Sequence, residues 1–151
     1  HRLKYRNDLG LAECFSRKLA AIVERENWKP DSIVPVPLGA KRQRERGFNQ
    51  AAVLAKPLSW VLGVVYQPKA LQRVIETQTQ IGLTARQREQ NVADAFRAPS
   101  ELVLGKRVML VDDVMTSGAT LNAASRALKR VGAEKVFALT LSRAVFSSYS
   151  P

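Results

Sequence analysis

Two adjacent carboxylates close an apolar run in Val108-Met109-Leu110-Val111-Asp112-Asp113, and Val114-Met115-Thr116-Ser117-Gly118-Ala119-Thr120-Leu121 follows at once. Arg107–Val111 predicts a buried strand, since every residue after the first is apolar. A helix is predicted from about Ala119 to Val131, with Gly132 as its C-cap. The short loop between them is rich in hydroxyls. The backbone N–H groups of Thr116–Thr120 converge there at a helix start, where unpaired donors and the helix dipole favour a phosphate. Gly118 lets the backbone approach closely, and Thr116, Ser117 and Thr120 add hydroxyl donors. Asp112 and Asp113 would repel a bare phosphate. They suit a sugar diol, whose hydroxyls donate, or a Mg²⁺ ion held through water. The plainer alternative makes the acids strand-end residues and Thr116–Ser117 an ordinary helix cap.

A second segment has anion chemistry. Ser32-Ile33-Val34-Pro35-Val36-Pro37 reads as a short strand running into a basic loop, where Lys41, Arg42, Arg44 and Arg46 put four cations into six residues. In a parallel sheet this loop faces the Asp112–Asp113 loop across one edge, so Leu38–Ala40 can supply backbone donors and Lys41 or Arg42 a counter-charge to a pyrophosphate. Arg46 and Asn49 would support the loop from the next helix. A solvated basic surface or a nucleic-acid patch is the competing reading of the same charges. Rival motifs are missing: there is no G-x-x-x-x-G-K-[ST] and no G-x-G-x-x-G, and His1 is the only histidine, so no Ser/His/Asp triad can form.

Asp112-Asp113 ahead of Thr116-Ser117-Gly118-Ala119-Thr120 resembles the motif with which type I phosphoribosyltransferases bind 5-phosphoribosyl-1-pyrophosphate (PRPP). Further stretches are similar to the ComF/GntX family: Pro35-Val36-Pro37-Leu38 with Arg42 and Arg46-Gly47-Phe48-Asn49-Gln50-Ala51, then Thr77-Gln78-Thr79-Gln80 with Leu83, Arg88, Asn91-Val92 and Ala95-Phe96, and Leu3-Lys4-Tyr5-Arg6 at the start. The resemblance runs from about Leu3 to Ser142. It implies an α/β fold, a five-stranded parallel core with helices on both faces and a flexible hood loop, together with a role in DNA uptake during competence or, in some members, in carbohydrate use. It also implies residue roles. Asp112 and Asp113 take the ribose and act in catalysis; Val114, Met115, Thr116, Ser117, Gly118, Ala119 and Thr120 hold the 5′-phosphate; Leu38, Gly39, Lys41 and Arg42 hold the pyrophosphate; and Thr77 and Gln80 lie in the hood. Mg²⁺ is expected with PRPP, through Asp112 and Asp113 if through the protein at all. Many family members begin with a cysteine-rich zinc-binding segment, which these 151 residues either follow or lack; Gly39 stands where a larger polar residue is expected, and Pro57 inside the second helix is a further departure.

The elements needed to position these groups are legible. Leu11, Phe15, Leu19, Ile22 and Val23 form a helical stripe over residues 9–26, with Cys14 on its apolar side. A second helix is expected from about Phe48 to Leu62, kinked or split at Pro57. Val64–Tyr66 and Leu71–Val74 read as strand pieces around Pro68; Glu76–Gly82 has little to bury; Thr84-Ala85-Arg86-Gln87 fits a capping box, predicting a helix from Ala85. Val92–Phe96 is expected to be extended, Lys135–Leu141 is the last strand, and Ser147–Pro151 is expected to fray. Trp28 and Trp60, at helix ends, are expected to pack.

Composition bounds the rest. The 151 residues suit one domain with a real core. No apolar run reaches the roughly 20 residues that span a bilayer. One cysteine and one histidine give neither an internal disulfide nor a zinc site, which predicts a cytoplasmic protein. Lys and Arg total 24 against 13 acids, a balance of +11 that favours anionic partners. Two classes of function follow. One is an enzyme that transfers the phosphoribosyl group to a nitrogen acceptor. The other is a PRPP-responsive component of an assembly of competence proteins that handles single-stranded DNA. No residue stands out as a base for the acceptor, and nothing indicates an oligomeric state.

Overall fold

The computed structural model describes residues 9–75, 84, 94–115 and 117–143, with the side chains of 9–13, 41, 42 and 143 excepted. The amphipathic stripe folds as α1 (Leu9–Arg25), and β1 (Ser32–Pro35) follows, fully buried. The basic segment is not a loop: Ala40–Arg46 forms a short helix, α2, closed by Gly47 in the left-handed conformation. Its residues are good helix formers, and helical bonding satisfies backbone groups that a loop would leave to solvent. The next helix, α3 (Gln50–Leu62), runs through Pro57 without splitting. It lies against α1 and the sheet, and burial of Leu54, Ala55 and Leu58 outweighs the hydrogen bond that proline removes.

After α3 come β2 (Val65–Tyr66), a 3₁₀ turn (Pro68–Ala70) and β3 (Gln72–Arg73). Past residues 76–93, which hold the expected hood and the helix predicted from Ala85 and lie mostly outside the described residues, the chain forms β4 (Phe96–Arg97) and a short helix, α4 (Ser100–Val103), that the sequence did not announce. Then β5 (Arg107–Met115), α5 (Ala119–Arg130) and β6 (Lys135–Arg143) complete the fold. The tail predicted to fray also lies outside the described residues.

The main sheet has the order β2-β1-β5-β6, all parallel. The implied five-stranded core is therefore four-stranded among the described residues. The strand piece at Gln72–Arg73 pairs antiparallel with β4 instead, Gln72 opposite Arg97 and Arg73 opposite Phe96. One face of the sheet packs Val34, Val36, Val108 and Leu110 against α5, the β3–β4 hairpin and Val103. The other packs Ile33, Met109, Val111, Phe137 and Leu139 against α1 and α3, and Trp28 stacks on Phe137 at 5.1 Å between ring centroids. Strands buried on both faces have to be largely apolar, as β1 is after Ser32 and β5 is from Val108 to Val111.

Two expectations about packing are corrected. Cys14 is exposed, because its position on α1 turns away from α3 while Phe15, Leu19 and Val23 turn in. Trp60 is 70% exposed, with Lys56 Nζ over its ring at 5.5 Å.

The register of the sheet is clamped at the end opposite the predicted anion loops. Asp31 accepts from the Arg107 backbone N–H at 2.8 Å and from its guanidinium at 3.1 and 2.7 Å, while the Asp31 N–H donates to the Arg107 carbonyl at 2.7 Å. These hydrogen bonds hold the Asp31 carboxyl at about 2, below its ordinary 3.8.

Candidate functional site

In a parallel sheet the strand ends collect at one edge, and there the helix N-termini face them. Here β1 and β5 are immediate neighbours, and the Val36 N–H continues their ladder to the Val111 carbonyl at 2.9 Å. The residues after β1 therefore lie beside Asp112. Leu38 is half-buried and Gly39 is buried as the residue capping α2. Lys41 and Arg42 fall in the first turn of α2, with side chains outside the described residues. This segment is tied down by Asn49. Its Nδ2 donates to the Val36 carbonyl at 3.0 Å, and its Oδ1 accepts from Ala51 N–H at 3.0 Å and caps α3. Asn49 thus supports the loop as expected, whereas Arg46 is exposed. Beside it, Gln50 is only 4% exposed and its Oε1 has no partner.

The carboxylate pair does not sit in a loop, as its sequence suggested. β5 continues through both acids to Met115 because β6 keeps pairing with it, Asp112 opposite Thr140 and Val114 opposite Ser142. Both aspartates are half-buried. Each carboxyl turns back on the chain: Asp112 Oδ1 accepts from Asp113 N–H at 2.9 Å, and Asp113 Oδ1 accepts from Val114 N–H at 2.9 Å. Burial pushes the Asp112 carboxyl from 3.8 up to about 7, and the neighbouring Asp113 charge pushes the same way. Burial and the adjacent negative charge both disfavour ionisation of Asp112, so the Asp112 carboxyl is the one held up.

Beyond the strand, Thr116 lies outside the described residues. Gly118 takes φ 78°, the left-handed region, and caps α5; its carbonyl accepts from Asn122 N–H at 2.9 Å. Ser117 Oγ accepts from Ala119 N–H at 3.4 Å, Ala119 is buried, and Thr120 is half-buried in the first turn. Val114 and Met115, still in the strand, are exposed and half-buried. The structure thus collects Asp112, Asp113, Val114, Met115, Ser117, Gly118, Ala119 and Thr120 with Leu38 and Gly39 at one sheet edge, while Thr77 and Gln80 fall outside the described residues.

One neighbour was missed. Arg73, on β3, opposes the upward push on Asp112 with its positive charge. In the sequence it is one arginine among many, and only the β3–β4 pairing turns it toward the site.

The family model for the phosphoribosyl transferase domain matches residues 11–144. The chain belongs to this family. The phosphoribosyl transferase domain is 37% identical to competence protein F of Haemophilus influenzae over 95% of this chain and 66% of that protein. It is 38% identical to the DNA utilization protein YhgH of Escherichia coli over 90% and 62%, and 32% identical to competence protein ComFC of Bacillus subtilis over 94% and 57%. The chain spans about 57–66% of these relatives' lengths. Among solved structures, adenine phosphoribosyltransferase of Saccharomyces cerevisiae matches at TM-score 0.63 and 17% identity, over 92% of this chain and 72% of that one. Glutamine PRPP amidotransferase of B. subtilis matches at TM-score 0.60 and 23% identity, over 87% and 26%. These likenesses show the type I phosphoribosyltransferase fold. Among the described residues no helix is long and apolar enough to cross a membrane.

Proposed function

We propose that the site binds PRPP, with the ribose diol on Asp112 and Asp113, the 5′-phosphate on residues 114–120 and the pyrophosphate on Leu38, Gly39, Lys41 and Arg42. The observation that carries this reading is the half-buried carboxyl pair next to a glycine-capped helix start, at the edge where β1 and β5 both end. A carboxyl pair supplies acceptors for two ribose hydroxyls; the α5 N-terminus supplies backbone donors for a phosphate.

The reaction that fits is displacement at ribose C1. A nitrogen lone pair forms the new C–N bond, the bond from C1 to the pyrophosphate oxygen breaks, and the acceptor's surplus proton leaves to solvent. No protein nucleophile is required. Asp112 and Asp113 orient the diol and offset the positive charge that grows on the ring, and the cations of α2 hold the departing pyrophosphate. Among the described residues no group of three or more His, Cys, Asp or Glu side chains could hold a metal ion alone. Two carboxylates together with a ligand's phosphate oxygens could hold Mg²⁺, which when bound neutralises pyrophosphate charge.

The biological setting that fits is competence or DNA utilisation, as the relatives' names suggest, and the lone, exposed Cys14 fits a reducing cytoplasm. Calorimetry with PRPP and Mg²⁺ tests the site. Saturable one-site binding that is lost in Asp112→Asn/Asp113→Asn is expected; no heat from the folded parent chain rules the reading out.

The net charge of +11 favours a second reading, a PRPP-responsive component of an assembly on single-stranded DNA without turnover. Pyrophosphate release with a panel of nitrogen acceptors separates the two, since only the enzyme produces it. DNA binding through Lys and Arg alone weakens steeply with salt, and PRPP binding in a cleft changes far less.

A further inference from the structure

The buried face of α3 carries two polar residues among its apolar ones, one at each end. Ser59, towards the C-terminus, is satisfied: its Oγ donates to the Lys56 carbonyl at 2.7 Å. Gln50, at the head of the helix, is only 4% exposed, and its Oε1 has no partner among the described residues. An amide oxygen taken out of water with nothing to accept from destabilises the fold, and an apolar side chain would fill the position at no such cost. The packing of α3 therefore does not explain this glutamine.

Its place in the fold does. Asn49, one residue earlier, donates to the Val36 carbonyl, and the Val36 N–H donates to the Val111 carbonyl, so α3 begins level with the ends of β1 and β5. Pro35 lies opposite Val111 in register, which puts the residues after β1 level with Asp112 and Asp113. Alternation along β5 assigns Asp113 to the face of Met109 and Val111, the face that α3 covers. On β6, Leu141 packs into that same cluster beside it. Leu58 and Leu54 on α3, and Met109 and Val111 on β5, thus form two apolar rows against each other. Both rows turn polar at the same level, into Gln50 and Asp113, and they do so at the edge that holds the candidate site.

Two acceptors brought to one place call for a donor that the protein itself does not provide. PRPP narrows the choice. At neutral pH its phosphates are ionised acceptors, and only the two ribose hydroxyls donate.

We propose that Gln50 is a ligand-contact residue whose Oε1 accepts from a ribose hydroxyl on the Asp113 side of the diol. This rests on the PRPP reading of the site. A neutral amide adds an acceptor there without putting a third negative charge beside a polyanionic ligand.

Gln50→Met keeps the length of the side chain and removes its polar end, and Gln50→Leu is a second apolar replacement. In the ligand-free chain the melting temperature of Gln50→Met holds or rises by about 2–4 °C, because the orphaned oxygen is gone. Calorimetry with Mg²⁺, direct for PRPP and by displacement for ribose 5-phosphate, gives an affinity about tenfold lower for both ligands, since both carry the diol. Stability and affinity then move apart, which a glutamine serving only the fold would not produce.

A melting temperature that falls in both variants shows that the fold needs the amide, and overturns the proposal. Parent-like affinity in a folded variant overturns it equally. A loss confined to PRPP, with ribose 5-phosphate binding as in the parent, puts the amide on the pyrophosphate and overturns the hydroxyl contact. A parent chain that binds neither ligand overturns the site reading itself, and the inference with it.

Discussion

Asn49 and Val36 are joined by a side-chain bond that spans the start of a helix and the end of a strand. Asn49 Nδ2 donates to the Val36 carbonyl at 3.0 Å, while its Oδ1 accepts from Ala51 N–H at 3.0 Å. One amide thus caps α3 and holds the chain leaving β1, so Leu38 and Gly39 are positioned by the same group that starts the helix behind them.

Replacing Asn49 by Ala removes both bonds, at an expected cost of about 1–3 kcal/mol from the lost cap and the orphaned carbonyl. Asn49→Asp keeps the cap acceptor and loses only the tie, so its loss in urea denaturation is smaller. Both variants weaken PRPP more than ribose 5-phosphate, because the tie serves the pyrophosphate end of the site.

Asp112 predicts a trade between function and stability. Its folded-state value of about 7 lies above its ordinary 3.8, so the native chain holds this proton more tightly than the unfolded one. Its contribution is therefore fully present below about pH 4 and is lost as pH rises towards 7. Asp112→Asn, which keeps an acceptor for Asp113 N–H, removes the decline. Thermal melts of the variant match the parent under acid conditions and exceed it by about 1–3 kcal/mol above pH 7, while PRPP binding is lost.

The clamp at the far end has the opposite sign. Asp31 is held at about 2, below 3.8, by its bonds to Arg107, so its stabilisation is present above 3.8 and is lost as pH falls towards 2. In Asp31→Ala the melting temperature drops by about 2–4 °C at neutral pH and converges with the parent in strong acid. Ligand affinity at neutral pH is unchanged, since the clamp lies at the opposite end of β1 and β5 from the site.

Gly118 tests the phosphate loop through the backbone. At φ 78° an added Cβ would meet only Met115 Sδ at 3.8 Å, so Gly118→Ala costs strain rather than a clash, about 1–2 kcal/mol. Gly63 has φ 64° and open space around it, so Gly63→Ala carries a similar stability cost. Denaturation therefore treats the two variants alike, and only Gly118→Ala loses affinity for ribose 5-phosphate.

Much of this site could be read directly. Asp112–Thr120 is contiguous: an apolar strand, two acids and a glycine-led helix start each follow from local preferences over a few residues. The strand at Ser32–Pro35 and the helices α1 and α5 come from the same local periodicity. Long-range partners decided the remainder. Pairing with β6 carries β5 past both acids to Met115, and no window around Asp113 contains that partner. Helical bonding turned Ala40–Arg46 from an expected loop into α2. The neighbours of α1 and α3 left Cys14 and Trp60 facing outward, against their apolar character. The charge of Arg73 acts on Asp112 across 38 intervening positions only because β3 pairs with β4 and Phe96 buries the hairpin. The sequence by itself determined which groups could bind a phosphorylated sugar. The tertiary structure alone decided their shared edge and their charge balance, because burial and proximity between distant residues set a carboxyl's ionisation and no local pattern records either.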